Sequence, residues 1–140
     1  MRRLAFPCAE EEHRIFGKIT RPLVTLALFS ERFGKWLEVG QILVDTGADI
    51  STIPLKLGQI LVSDVGSGIP MYVGGILSSD ISFNAFIHRI KARVGDYPFE
   101  MPVAVSLSSF IPPIWGRREA LDRFTVSFVE GRELVLEIRA

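Results

Sequence analysis

Short apolar stretches that end in turn-forming residues recur along the chain, and this pattern is typical of β-strands. Residues 14–20 and 23–29 predict two strands joined around Arg21-Pro22, and residues 36–44 predict a third. Because only short turns separate these strands, they predict a β-meander rather than strands that alternate with helices.

The second half of the chain continues the pattern. Four further strands are expected at residues 81–94, 99–107, 124–128 and 134–138. Glycine-containing turns at Gly95-Asp96 and Glu130-Gly131 would join them in two pairs. The last pair is therefore predicted to be a C-terminal β-hairpin.

A short helix is expected after residue 50. The hydroxyl of Ser51 or Thr52 could cap it, and Pro54 suits a first helical turn, where its missing N–H costs nothing. Gly58 costs about 1 kcal/mol inside a helix, so the length of this helix stays open. Residues 118–123 are also compatible with a helix, and the predicted fold class is all-β, mainly strands with one or two short helices.

The composition predicts one domain and excludes several classes of partner. The chain has 140 residues, which we divide into an N-terminal extension (1–13) and a single domain (14–140). Lys and Arg number 16, as do Asp and Glu, so no net charge attracts nucleic acid or an anionic membrane, and we expect neither partner.

Cysteine and histidine are too few to suggest a metal centre. Cys8 is the only cysteine, which excludes an internal disulfide and fits a reducing compartment. His13 and His88 show no metal-ligand spacing, so no metal site is expected. Because we recognise neither a signal peptide nor an apolar stretch near the ~20 residues that span a bilayer, we predict a soluble, cytoplasmic protein.

The segment Ile42-Leu43-Val44-Asp45-Thr46-Gly47-Ala48-Asp49 is the strongest candidate for chemistry. The pattern predicts a buried strand that runs directly into Asp45, and burial costs a lone carboxylate several kcal/mol unless it is paired, hydrogen-bonded or used chemically. An ordinary turn in which Asp45 accepts backbone hydrogen bonds would explain the same residues. A sugar-kinase phosphate loop would too, but that fold needs two large lobes, for which this chain is too short.

Three motifs in this order resemble those of the retropepsins, the retroviral-type aspartic proteases. They are Val44-Asp45-Thr46-Gly47-Ala48-Asp49, Val73-Gly74-Gly75-Ile76 and Ile114-Trp115-Gly116-Arg117. Members of the family carry an apolar residue before Asp-Thr-Gly-Ala-Asp, then a glycine-rich flap tip, and later two apolar residues before Gly-Arg. The resemblance implies a retropepsin-like acid-protease β-barrel in which each chain supplies half of the active site.

The resemblance also implies an activity and a partner. Asp45 is the only aspartate followed by a hydroxyl residue and glycine, so the second carboxylate would come from a second copy in a homodimer. Such a pair would activate water and hydrolyse peptide or protein substrates, cutting between apolar residues without any cofactor. The extra C-terminal hairpin is then a candidate dimer interface.

Roles for other residues follow from the same resemblance. Thr46 would brace the partner chain, and the Gly47 carbonyl would bind the substrate backbone. Ala48 stands where pepsin-like enzymes usually carry a hydroxyl, and Asp49 would contact substrate and pair with Arg117.

The flap and the apolar lining complete the expected site. The residues concerned are Val73, Gly74, Gly75, Ile76, Leu43 and Ile114. For the apolar ones, simple core packing is an equal alternative. Two other functions remain open from the sequence: a catalytically silent retropepsin-fold dimer that binds extended peptides by strand addition, and a dimeric structural domain with no peptide site.

Overall fold

The computed structural model describes residues 2–73 and 84–139, and over these residues the chain is mainly β-structure. Twelve strands, one α-helix and two short 3₁₀ helices are formed there. The strands are β1 (Arg2–Pro7), β2 (Ala9–His13), β3 (Gly17–Arg21), β4 (Leu23–Ser30), β5 (Lys35–Val44), β6 (Ser51–Ile53), β7 (Ile69–Met71), β8 (Ala85–Val94), β9 (Tyr97–Ser106), β10 (Ile114–Trp115), β11 (Thr125–Val129) and β12 (Glu133–Ile138). The helix α1 is Leu55–Leu61, and the 3₁₀ helices are Val65–Ser67 and Leu121–Arg123.

Six strands close into a barrel. They follow the order β4-β5-β10-β6-β9-β8, and β8 pairs back onto β4 through Ala27↔Arg93 and Leu28↔Ala92. The short strand β7 adds to the outer edge of β8. The all-β prediction is confirmed. No helix among the described residues has the length and hydrophobicity needed to cross a lipid bilayer.

The barrel interior is filled by alternate residues of its strands. Leu26 and Leu28 on β4, and Val103 on β9, are almost completely buried. Trp115 on β10 is fully buried, and its ring stacks on Phe99 with the ring centroids 5.9 Å apart. Because this large side chain lies in the core, β10 is held firmly beside the end of β5.

The expectation that Ser51 or Thr52 caps the helix is wrong. Both belong to β6, which runs parallel to β9, and both are buried. The helix begins after Pro54 and has no side-chain cap. Backbone N–H and C=O groups of this segment form hydrogen bonds within the sheet instead of starting a helix. The Ser51 hydroxyl accepts a hydrogen bond from the Gly116 N–H, 2.9 Å away.

Gly58 in the middle of α1 has a packing reason. A Cβ at this position would lie 2.2 Å from Cγ1 of Val105 on β9, so glycine lets the helix lie against the barrel. We expect Gly58→Ala to lower the free energy of unfolding by about 1–3 kcal/mol, although alanine favours a helix by about 1 kcal/mol. Urea denaturation measures the change.

A second substitution tests this cause. Shortening the neighbour in a Gly58→Ala/Val105→Ala variant should give a smaller loss of stability than the sum of the two single substitutions, because the clash is relieved. Additive losses would show that Gly58 is required for another reason.

The two ends of the chain form a separate sheet in the order β1-β12-β11. β1 pairs along its whole length with β12, and Arg2 forms an ion pair with Asp96 in the β8–β9 turn. The predicted C-terminal hairpin is confirmed as β11 and β12. Since β12 lies between β1 and β11, both of its edges are already used within one chain.

A third, two-stranded sheet consists of β2 and β3 alone. The sequence prediction of a strand from residue 14 is wrong at its start, because residues 14–16 form the turn of this hairpin. Strand β2 was missed because Glu10, Glu11 and Glu12 give it no apolar pattern. Ion pairs across the hairpin, such as Arg21 Nε to Glu11 Oε2 at 2.8 Å, occur instead.

Candidate active site

Asp45 lies directly after β5, at the end of the barrel. Its N–H donates to the Trp115 carbonyl at 3.0 Å, which continues the parallel pairing of β5 with β10. Trp115 is fully buried, so the Asp45 backbone is fixed to the core by the strand next to it. The apolar run before Asp45 thus places the half-buried acid at a defined point.

The Asp45 carboxylate folds back over its own turn. Oδ1 accepts a hydrogen bond from the Gly47 N–H at 2.9 Å, and the Ala48 N–H donates to the Asp45 carbonyl at 3.2 Å. Gly47 does not have a positive φ. A Cβ at Gly47 would lie 3.3 Å from Oδ1, tighter than most such contacts, so glycine leaves room for the carboxylate.

Residues 116–118 hold the other side of the turn. The N–H groups of Arg117 and Arg118 donate to the carbonyls of Ala48 and Asp49, at 3.0 and 2.9 Å. A Cβ at Gly116 would lie 2.6 Å from the carbonyl carbon of Ile50. Only glycine allows the two backbones to come this close.

The charged side chains near the turn pair differently from the expectation. Arg117 Nε lies 3.3 Å from Oδ1 of Asp122, and no Arg117–Asp49 ion pair occurs within the part of the chain that the structure describes. Both Arg117 and Asp49 are exposed. Their backbones are neighbours, but in the single chain the Arg117 side chain turns towards the 3₁₀ helix.

A network of charges ties the following loop to the barrel. Arg89 on β8 donates to Glu119 at 3.0 Å and to Glu100 at 2.6 Å. The hydrogen bond from Arg89 holds the pKa of the Glu119 carboxyl below its ordinary value. Hydrogen bonds to Glu119 and then Glu100 raise the pKa of Arg89 above its ordinary value. The loop after Gly116 is therefore anchored from outside as well as from the core.

An open cleft of about 510 Å³ lies beside the aspartate turn. It is lined by Gly47, Ala48, Asp49, Ile50, Thr52, Met71, Tyr72, Val73 and Ile114. Two further depressions share lining residues with it: one of about 570 Å³ that includes Arg117, and one of about 510 Å³ that includes Ile111 and Pro112. Together they form a continuous, largely apolar surface on either side of the turn.

No protein-family model matches the sequence, and no curated protein matches it either. Among solved structures, a retropepsin-like aspartic protease from Rickettsia conorii aligns with a TM-score of 0.60 at 17% identity, over 96% of this chain and 91% of that chain. The chain has a retropepsin-like fold.

The EIAV protease, solved with an inhibitor, also aligns, with a TM-score of 0.38 and 16% identity over 75% of this chain and 86% of that one. At such low identities the likeness concerns the fold. The described residues contain the first and third sequence motifs in full and Val73 of the second.

The structure brings the first and third motifs together. Val44 and Trp115 are paired neighbours, and Leu43 pairs with Ile114. Thr46 and Gly47 are exposed at the turn, whereas Leu43 is half-buried and does not line the described part of the cleft. Of the second motif, Val73 lines the cleft, and Gly74, Gly75 and Ile76 lie outside the described residues.

One residue of the site was missed from the sequence. The Asn84 side chain binds the Val73 backbone from both sides: Oδ1 accepts from the N–H at 2.7 Å, and Nδ2 donates to the carbonyl at 2.6 Å. Asn84 therefore positions Val73 at the wall of the cleft. Asparagine is disfavoured in strands, so its place inside the predicted strand 81–94 was an available signal.

Among residues 2–73 and 84–139, no group of three or more His, Cys, Asp or Glu side chains is placed to hold a metal ion.

Proposed function

We propose that this chain is an aspartic endopeptidase that acts as a homodimer, with Asp45 of each copy forming the catalytic pair. One observation carries the proposal: in a retropepsin-like fold, Asp45 is held by the Trp115 carbonyl and its carboxylate by the Gly47 N–H, beside an open apolar cleft. A single turn of this kind supplies one carboxylate. The chemistry needs two, and a two-fold axis would supply the second from an identical chain.

The pair would work by general acid–base catalysis. Two carboxylates about 3 Å apart do not both ionise cheaply, so they share one proton. The ionised Asp45 removes a proton from a water molecule as its oxygen attacks the peptide carbonyl carbon, and the protonated Asp45 donates to the carbonyl oxygen. The tetrahedral intermediate collapses when a proton reaches the peptide nitrogen, and the C–N bond breaks to give a free carboxyl and a free amine.

The cleft favours extended peptides with apolar side chains. Ile50, Met71, Val73 and Ile114 line it, and the carbonyl of Gly47, which also lines it, would accept a hydrogen bond from a peptide backbone. Apolar side chains on either side of the cut bond would bury surface against this lining, at about 25 cal/mol per Å².

Hydrolysis of a peptide library by the wild-type protein, compared with that by Asp45→Asn, tests the proposal directly. Cleavage that depends on Asp45 supports an endopeptidase. A dimer that binds apolar peptides and releases no products over several pH values would instead be a catalytically silent binding module.

Within the described residues, the terminal sheet has two outer edges that could pair across the proposed dimer, those of β1 and β11. β12 is covered on both sides, and β1 carries Arg2, Arg3 and Pro7, which discourage further pairing. β11 has no charged residue and no proline, and its Phe128 is 50% exposed. We therefore propose that the two copies meet along the β11 edge. This proposal specifies which strand of the C-terminal hairpin forms the dimer interface.

A charge on this edge should weaken the dimer. In Phe128→Glu, two introduced carboxylates would face each other near the two-fold axis and an apolar contact would be lost. We expect the dimer dissociation constant to rise about 10- to 100-fold. Sedimentation velocity over a dilution series measures it, with Phe110→Glu as the matched control, since Phe110 is 98% exposed and lies outside this sheet. Equal effects of both substitutions would argue against the β11 edge.

A further inference from the structure

The β2–β3 hairpin is an arm that the rest of the chain does not bury. Its strands pair only with each other, and none of its apolar side chains belongs to the core or packs against it within residues 2–73 and 84–139. An isolated two-stranded hairpin is marginally stable in water. A partner surface would supply the missing contacts.

The tip of the arm is ordered and apolar. Nδ1 of His13 accepts hydrogen bonds from the N–H groups of Ile15 and Phe16, at 3.1 and 3.2 Å, and the Phe16 ring stacks on His13 at 4.9 Å. These contacts present Ile15 and Phe16 to solvent, with 75% and 73% of their surfaces exposed. Two adjacent large apolar side chains at the end of a preformed turn are unusual on a surface and indicate a contact site.

The base of the arm is anchored beside the candidate active site. The chain enters the arm at Cys8, whose N–H donates to the Arg132 carbonyl at 2.8 Å in the terminal sheet. It leaves at Pro22, whose carbonyl accepts from the Val44 N–H at 2.9 Å. Val44 immediately precedes Asp45, so one foot of the arm, Pro22, is hydrogen-bonded to the residue next to the aspartate.

The proposed mechanism fixes where this base lies relative to a second copy. If the two Asp45 carboxylates meet about 3 Å apart, the bases of both arms lie close to the two-fold axis. The arm has strands of five residues, so it is about 17 Å long at roughly 3.3 Å per residue. An arm of this length, rooted near the axis, is long enough to reach the neighbouring copy.

We infer that the β2–β3 hairpin is an intersubunit arm, and that its tip, Ile15 and Phe16, packs on the second copy of the chain beside the shared active site. This inference rests on the proposed homodimer. The arm adds contacts that the β11 edge does not provide. Each copy contributes one arm, so the two arm contacts are related by the two-fold axis of the dimer.

Photo-crosslinking tests where the tip lies. A benzoylphenylalanine is placed at position 16 of the Asp45→Asn protein, and chains of normal and heavy-isotope composition are mixed before irradiation. We expect crosslinked peptides that join a light chain to a heavy chain. The same probe at Phe33, in the β4–β5 turn at the far end of β5 from Asp45, should give no such product. Crosslinks confined to one chain, or none, would overturn the inference.

Dimer affinity gives a second readout that does not need hydrolysis. In an Ile15→Ser/Phe16→Ser variant, we expect the dissociation constant to rise at least about ten-fold, with unchanged thermal unfolding of the monomer because the tip is outside the core. Phe33→Ser should leave the constant within about two-fold. An unchanged constant in the tip variant, or a wild-type chain that is monomeric at all concentrations, contradicts the arm.

The two proposals fail in different ways. If the tip substitutions leave the dimer dissociation constant unchanged while hydrolysis still depends on Asp45, only the arm is rejected. An arm-dependent dimer that cleaves no peptide would reject the endopeptidase alone.

Discussion

Replacing Asp45 with asparagine is expected to reduce kcat/KM for peptide hydrolysis by at least about 10³-fold, because both copies then carry an amide, which can neither take a proton from water nor donate one as a carboxylic acid. The fold should survive. Asparagine retains an oxygen that can accept the hydrogen bond from the Gly47 N–H, now 2.9 Å from Oδ1. The loss would therefore fall on the chemistry and leave the turn intact.

The chain contains a matched control for this substitution. Asp64 Oδ1 accepts from the Gly66 N–H at 3.1 Å, the same local geometry as at Asp45, but Asp64 lies at the start of a 3₁₀ helix away from the cleft. Asp64→Asn should retain full activity. Equal activity in the two variants would show that Asp45 is only a structural turn residue, as the ordinary-turn interpretation holds.

Mixing the two chains tests the need for a pair. When subunits exchange freely, about a ninefold excess of Asp45→Asn chain should lower the activity per wild-type chain to roughly one tenth, since most wild-type chains then face an inactive partner. A monomeric enzyme would keep its activity.

The second large effect is expected at Gly116. Gly116→Ala should lower the free energy of unfolding by about 3 kcal/mol or more, because its Cβ would meet the backbone of Ile50 at 2.6 Å. Ile50 has little freedom to move away: the carbonyls of Ala48 and Asp49 are bonded to Arg117 and Arg118, and Ser51 is buried in β6. The same displacement would shift the aspartate turn, so activity should fall with stability.

Gly40→Ala is the appropriate comparison for Gly116→Ala. Gly40 lies on β5, the strand that leads to Asp45, and a Cβ there would be 3.5 Å from Thr25 Oγ1, an ordinary contact. Its effect on stability should stay within about 0.5 kcal/mol. Urea denaturation and peptide hydrolysis of both variants measure the difference. Comparable stabilities would mean that the close approach of residues 116 and 50 relaxes without cost.

The sequence predicted those parts of the fold in which side-chain alternation reflects burial on one face. Strand β4 alternates in this way, with Leu26 and Leu28 inside the barrel, and the prediction of a strand there is confirmed. The Asp45 turn could also be predicted from the sequence, because an apolar strand that ends in Asp-Thr-Gly restricts both the backbone conformation and the chemical role of the aspartate.

The errors arose where one local pattern fits two structures. Ser51, Thr52 and Pro54 form a helix-start signature, but pairing with β9 and burial in the barrel made the first two a strand. β2 has no apolar period, because cross-strand ion pairs replace apolar contacts. Whether Arg117 pairs with Asp49 or Asp122 depends on tertiary geometry, and no spacing rule decides it.

The terminal sheet has a consequence for how the proposed dimer would be regulated. One chain alone supplies β1, β12 and β11, so a single subunit is able to complete this sheet during its own folding. Folding and assembly then become separable events, each with its own equilibrium. The concentration of the chain would then set how much of it forms the active dimer, while each subunit stays folded. Proteolysis could be controlled in this way without an inhibitor and without cleavage of a precursor.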